Sequence, residues 1–257
     1  MNRFTLLKYQ IMDGVRSKAI IGFGVFFALV SELLIRFGGT GDGTMLSLMN
    51  LSLSIIPLCG LIFGTIYVYN NREYIELMLS QPILRRDLYV SLYLGLVVPL
   101  MLAYAIGVGI PIAARGAFGP FLTVVGTGLL LMAIFVAIAF VIALKQDDKI
   151  RGMGMAIVTW LILTILYDAL IMFVIAMFAE YPLERPVLAL TLANPVDLGR
   201  IILVLSADES AMMGFTGALY RQFFGSSLGI WVSIAMLGLW ASVPVWIGRR
   251  RFVSKDF

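Results

Sequence analysis

Six apolar runs, each near the roughly 20 residues that a helix needs to cross a bilayer core, constrain this chain more than any other feature. They lie at 19–35, 45–69, 91–114, 121–144, 152–179 and 228–248. The expected fold is therefore an all-α membrane protein of six transmembrane helices forming one domain. Composition agrees. Of 257 residues, 61% are hydrophobic and only 13% charged, with a mean hydropathy of +0.98, whereas soluble domains are about 45–50% apolar.

The cations set an orientation. With a cytoplasmic N-terminus, the inner segments hold fourteen Lys and Arg and the outer segments five: Arg36, Arg115, Arg185, Arg200 and Arg221. That bias favours both termini inside. It also explains the net charge of +4 without a nucleic-acid partner. The absence of histidine excludes His-assisted nucleophilic catalysis, imidazole metal sites and histidine pH switches. The single cysteine, Cys59, lies in an apolar run, so no internal disulfide forms. The N-terminus does not read as a signal peptide: an amphipathic stretch precedes the first run and no A-x-A-like site follows it.

Residues 1–18 read as an interfacial helix. Phe4, Leu7, Ile11 and Val15 share a face, and Arg3, Lys8, Arg16 and Lys18 supply cations for lipid headgroups. It serves either as an elbow helix that contributes to a partner surface or as a plain anchor. The stretch 70–89 (N-N-R-E-Y-I-E-L-M-L-S-Q-P-I-L-R-R-D-L-Y) is the one strongly charged, amphipathic segment between two long runs. As a helix over 72–80 it places Glu73, Glu76 and Ser80 on one face and Tyr74, Leu77 and Met78 on another. Pro82 ends it. Such a helix is either an ordinary interfacial loop or a docking element for a soluble partner.

The outer loops are short except 180–227, which reads as a small helical subdomain before the last span. Asn194-Pro195-Val196-Asp197 has the order of a helix start: Asn at the N-cap, Pro at the first helical position and a carboxylate in the first turn. That helix is expected to reach about Ser206, and a second to run from Ser210 to Gly225. Asn194, Pro195, Asp197 and Arg200 make a seventh span over 187–205 expensive. The apolar Ile201, Leu205, Met212, Met213, Phe215, Phe223 and Phe224 of this subdomain must pack on the spans, on another copy or on a partner.

Several motifs carry little. Gly225-Ser226-Ser227-Leu228-Gly229 has the spacing of a nucleophile elbow but lacks a histidine base and a preceding strand. No Gly precedes a Lys, so there is no Walker A loop and the chain is not expected to hydrolyse ATP by itself. The 14 methionines show no M-x-x-M repeat and read as gap-fillers rather than a metal path. Gly60 and Gly64 read as helix packing. Glu32, near the outer end of the first span, and Asp168, near the middle of the fifth, are intramembrane polar candidates. Each is either functional or simply partnered by the interface or a neighbouring helix.

The run R-E-x-x-(I/L)-E-x-x-L-S-x-P-(I/V)-x-R, matched here by Arg72, Glu73, Ile75, Glu76, Leu79, Ser80, Pro82, Ile83 and Arg85, resembles the first cytoplasmic loop of type-2 ABC transporter permeases. That family often has Gly-Thr before the second Glu, where this chain has Tyr74-Ile75. Further segments are similar to one branch of it, the permeases of the accessory complex that matures nitrous oxide reductase. They are Asp168-Ala169-Leu170, Pro182-Leu183-Glu184, 192–198 (L-A-N-P-V-D-L), 210–218 (S-A-M-M-G-F-T-G-A), Phe223-Phe224-Gly225-Ser226, the block 80–111 and the final 251–257 (R-F-V-S-K-D-F).

The resemblance implies a non-catalytic homodimer in a bacterial inner membrane. Two copies of a separate cytoplasmic ATPase, which bind ATP and Mg, would dock on a coupling helix in loop 70–90 through Arg72, Glu73, Glu76, Arg85 and Arg86. A periplasmic β-helical accessory protein would dock on the outer helices through Asn194, Pro195, Asp197, Met212, Met213, Phe223 and Phe224. The implied role is assembly of the copper–sulfide site of the reductase, by moving a sulfur species or transmitting a conformational change. A generic type-2 exporter of a lipid, drug or peptide, or a non-transporting force transmitter, remains the alternative.

Overall fold

The apolar runs all become helices. A computed structural model describes residues 3–39, 41–115, 119–178, 184–206 and 227–255, and every regular element among them is helical. In chain order they are α1 (Arg3–Arg16), α2 (Lys18–Gly38), α3 (Asp42–Asn70), α4 (Arg72–Leu79), α5 (Arg85–Ala113), α6 (Gly119–Lys145), α7 (Lys149–Leu161), a π-helical turn (Ile162–Leu166), α8 (Tyr167–Met177), α9 (Glu184–Leu192), α10 (Pro195–Ser206) and α11 (Ser227–Ser254). Six of these stretches are long and apolar enough to cross a membrane: Lys18–Gly38, Gly43–Asn70, Arg85–Ala113, Phe121–Lys145, Lys149–Met177 and Trp231–Ser254. They coincide with the six expected spans. The last runs farther than expected, to Ser254, because Arg249–Arg251 continue the helix.

The fourth span, α6, is the hub. It packs against α3, α5, α7, α10 and α11, and its most apolar window has a mean hydropathy of 2.8 with 72% of its residues buried. A helix that is apolar all round must be surrounded by protein or lipid, and here protein takes most of the surface. Glycine and alanine bring the axes together. A Cβ on Gly64 of α3 would lie 2.5 Å from the Ala139 Cβ of α6, and one on Gly60 would lie 3.1 Å from the Phe135 Cβ. Tyr104 of α5 is fully buried over Gly128 and donates to the Ser52 hydroxyl at 3.1 Å.

A second layer forms from α1, α2 and α5. The N-terminal helix packs inward through a face other than its apolar stripe. Leu6, Gln10 and Gly14, spaced four apart, face α5: Leu6 is buried, and a Cβ on Gly95 would meet the Gln10 Cβ at 2.5 Å. Val15 stays exposed, with Leu7 and Ile11 beside it on an open outer surface. The small residues Gly14 and Gly95 override hydrophobicity in choosing the contact face, because only they let the two backbones approach. Gln10 also accepts a hydrogen bond from the Tyr67 hydroxyl at 2.6 Å, tying α1 to α3.

The largest departure from expectation is the bent pair α9–α10. The chain turns by 105° between these two apolar helices, so they form neither a continuous seventh span nor, over their described residues, a cap resting outside the bundle. Asn194 at the bend donates to the Leu163 carbonyl, which lies fourteen residues before the end of the fifth span at Met177. At 1.5 Å per residue that is roughly 20 Å in from its end. Gly199 of α10 rests on Thr127 and Leu131 of α6 and Leu53 of α3. The pair thus reaches the level of the middle of the spans.

The α3–α6 seam should be intolerant of added volume. Gly64→Leu should cost about 1–3 kcal/mol and lower the unfolding midpoint in detergent. Gly109→Leu, where a Cβ meets nothing within 4 Å, should leave the midpoint unchanged; equal effects of the two substitutions would contradict this packing.

Candidate functional site

Polar side chains gather at two levels of the bundle and in one further ion pair, and the sequence-predicted residues that the structure describes divide among them. At the end that carries α4, the chain leaves α3 at Asn70, passes Asn71 and starts α4 at Arg72. The helix ends at Leu79, just before Pro82, as the sequence implies. Ile75 and Met78 form its buried face, with Tyr74 half-buried. Leu77 is 58% exposed and belongs instead to the outward face with Glu73, Glu76 and Ser80. Leu84, 70% exposed, and Arg86 continue this surface beyond the turn. It is an apolar centre flanked by two carboxylates.

The two arginines that border the helix are turned inward. Arg72 donates to the Asp147 carboxylate at 2.9 Å and to its carbonyl at 3.1 Å. Arg85 donates to the carbonyls of Val253 at 3.1 Å and Lys255 at 2.8 Å. The Lys255 ammonium closes the ring, donating to Asp147 at 2.8 Å and to the Leu144 carbonyl at 3.0 Å. Lys149 donates to Asn70 at 3.0 Å, and the Tyr69 hydroxyl donates to the Gln146 carbonyl at 2.9 Å. The coupling residues expected from sequence therefore split. Glu73, Glu76 and Arg86 face outward, whereas Arg72 and Arg85 brace the loop against the α6–α7 connection and the end of α11. Asp147 and Lys255, the centre of that brace, were not among the expected site residues. Asp147 was signalled by the charged run Gln146-Asp147-Asp148-Lys149, and Lys255 by its place in the final segment 251–257.

The second cluster lies at the middle of the fifth span. The helix there widens into a π turn, in which the Tyr167 N–H donates to the Ile162 carbonyl five residues back. Asp168, the second residue past the turn, receives a two-pronged contact from Arg200 of α10, Nη1 to Oδ1 and Nη2 to Oδ2, both at 2.8 Å. Arg200 also reaches Asp197 at 3.3 Å. Asn194 caps α10 by accepting from the Val196 N–H at 3.0 Å, and its amide donates to Leu163 O at 2.7 Å and Asp197 at 3.0 Å. The helix start expected from Asn-Pro-Val-Asp is present. Its orientation is not the expected one: Asn194 and Pro195 are buried and Asp197 is 5% exposed, so these side chains serve the interior rather than an outer surface. The acids and amide need partners at this depth, and Arg200, treated in sequence as a loop cation, supplies one. The i, i+3 spacing of Asp197 and Arg200 was the available signal. Met212, Met213, Phe223 and Phe224 lie outside the described residues.

Glu32 is paired as well. Arg115, just past α5, donates to both of its carboxylate oxygens, at 2.7 and 2.8 Å, which pins α2 to the end of α5. Among the described residues, no group of three or more His, Cys, Asp or Glu converges.

The brace has a pH signature. The hydrogen bond from Lys255, followed by its charge, and then the Arg72 contacts hold the Asp147 carboxyl below the ordinary aspartate value. A depressed folded pKa means the brace contributes above the ordinary value and is lost as pH falls through the folded one. Carbon-13 NMR of Asp147 should show a midpoint below the ordinary value. Lys255→Met should raise it toward normal, and an unchanged midpoint would remove Lys255 from the brace.

No protein-family model matches the chain. Two curated proteins align with nearly all of it. One is the "Probable ABC transporter permease protein NosY" of Pseudomonas aeruginosa, 27% identical over 266 residues that cover 94% of this chain and 94% of that protein. The other is the protein of the same name from Stutzerimonas stutzeri, 24% identical over 270 residues, covering 95% and 93%. With six spanning helices and end-to-end alignment, this multi-pass membrane chain is similar to the NosY type of ABC transporter permease.

Proposed function

We propose that this chain is the membrane subunit of an ABC complex required to mature the copper–sulfide site of nitrous oxide reductase. The observation that carries this reading is the alignment, over more than nine-tenths of the chain, with two NosY permeases. Two copies form a homodimer in the bacterial inner membrane with both termini cytoplasmic, an orientation supported by the fourteen-to-five distribution of cations. The complex moves a sulfur species outward or transmits ATP-driven movement to a periplasmic β-helical protein. ATP and Mg are held by a separate cytoplasmic ATPase.

The docking surface for that ATPase is the outward face of α4: Glu73, Glu76, Leu77 and Ser80, with Leu84 and Arg86 beyond the turn. Leu77 enters an apolar groove while the carboxylates meet cations at its rim. Arg72 and Arg85 do not touch the partner. They hold the helix in place from behind. On the opposite side, the proposal assigns docking of the periplasmic protein to Met212, Met213, Phe223 and Phe224, since Asn194, Pro195 and Asp197 are occupied inside the bundle.

Deleting the gene in its native host and growing the cells on nitrate tests the assignment. Nitrous oxide should accumulate, and the purified reductase should lack its catalytic copper-site absorbance; normal turnover would break the link to this pathway. Glu76→Lys should insert and fold normally yet lose ATPase-coupled function by tenfold or more (reversal of an interfacial charge costs on the order of 1.4 kcal/mol or above). Unchanged coupling would move the docking surface elsewhere.

A further inference from the structure

Among the described residues, three contacts that seat the bent pair on the fifth span fall within or just after its π turn. Leu163, inside the turn, accepts from Asn194 at 2.7 Å. Tyr167, the first residue past it, donates its hydroxyl to the Leu190 carbonyl at 2.7 Å. Asp168, the next, takes the Arg200 fork. These three residues thus hold the end of α9, the bend and the body of α10. The fifth span is otherwise open to its surroundings: α7 lies along α3 and α6, but only 11% of the span's most apolar stretch is buried, and Ile157, Val158 and Leu161, with Ile162, Ile165 and Leu166 of the turn itself, are exposed.

A π turn contains one residue more than an α-helix needs, and it shifts the phase of everything beyond it. One residue corresponds to roughly 100° of rotation. Were the turn to relax to α-helix, α8 would rotate against α7 by about that angle. Leu163 would stay near the bend, while Tyr167 and Asp168 would swing away from Leu190 and Arg200. The turn also contains an unsatisfied group: the Thr164 hydroxyl is buried and has no hydrogen-bond partner. A rare helix form with an unsatisfied hydroxyl persists when its surroundings hold it, and the bent pair is what holds it here.

We propose that the π turn Ile162–Leu166 is the socket of the α9–α10 pair, and that the pair stays seated only while the turn absorbs its extra residue and so sets the phase of α8. Asn194 is the positioning residue that locks it. The fifth span then has two states, π with the pair docked and α with the pair released, and rotation of its second half is inseparable from release. This inference stands apart from the partner assignment above.

Hydrogen exchange of the full chain in lipid nanodiscs tests it, read at 186–203. Asn194→Ser keeps a capping oxygen for α10 but loses the amide donor to Leu163. Tyr167→Phe loses only the bond to Leu190. Each should speed exchange in 186–203 by about tenfold, the effect of one lost buried hydrogen bond, while α3 and α6 stay protected. Inserting one alanine after Thr164 adds a residue the turn cannot absorb; it turns α8 by roughly 100° without removing a bonded side chain, and should speed exchange further, to the level of the two substitutions combined. Protection at the wild-type level in a folded insertion variant would overturn the socket. Should that variant fail to fold, wild-type protection in both Asn194→Ser and Tyr167→Phe would overturn it equally.

Discussion

Tight packing around α6 is the constraint on which the rest of this bundle depends. Within a bilayer, lipid tails are as apolar as leucine, so burial alone does not draw helices together; close van der Waals fit does. The fit is supplied where Gly60 and Gly64 admit the side chains of α6, where Gly128 admits the Tyr104 ring, and where Gly199 lets α10 lie on Thr127 and Leu131. Glycines on one helix face alanine, phenylalanine or tyrosine on the next, and little room is left at any of these crossings. With α6 held by α3, α5 and α11, the remaining elements attach at the periphery: α1 and α2 along α5, and the fifth span along α3.

The charged side chains, by contrast, gather where partners meet them. At the basic end, Asp147 gathers Arg72 and Lys255, so that the ends of α6 and α11 and the start of α4 meet at one carboxylate. Arg85 adds two backbone carbonyls of the last helix. Force on α4 is therefore delivered to α6 and α11 as well as to its sequence neighbours α3 and α5. At mid-span, charge is carried by a second set (Asp168, Asp197 and Arg200), and the amide of Asn194 joins it to the backbone of the fifth helix. α6 borders both sets, contributing Leu144 to the first and the floor beneath α10 to the second.

Much of this was legible in the sequence. Long apolar runs locate spans because few residues permit exceptions, and Asn194-Pro195 marked a helix start because capping is local chemistry. Charge at 72–87 marked a surface helix for the same reason. What the sequence concealed was which partner each polar group had chosen. Asn194, Asp197 and Arg200 argued against membrane insertion one at a time. Paired with each other and with Asp168, they no longer do, and that pairing across 32 residues leaves no periodic trace. The face of α1 was hidden differently: an apolar stripe was visible, but Gly14 and Gly95, which set the contact, look like weak points in a helix until a neighbour is placed against them. Leu77 likewise grouped with Met78 by hydrophobicity, yet the buried pair is Ile75 and Met78.

The Asp168–Arg200 fork also has a consequence in time. The chain emerges from the ribosome N-terminus first, and at about 5–20 residues per second Arg200 follows Asp168 by roughly 2–6 s. During that interval the fifth span enters the bilayer carrying a mid-span acid without its cation, a burden of about 2.5–3.5 kcal/mol on insertion scales. The long apolar stretch on either side outweighs it, but the helix stays unfinished until α9 and α10 turn back into the bundle. A nascent chain that ends between 170 and 200 therefore presents an intramembrane carboxylate without its cation, and only the arrival of the bent pair closes it.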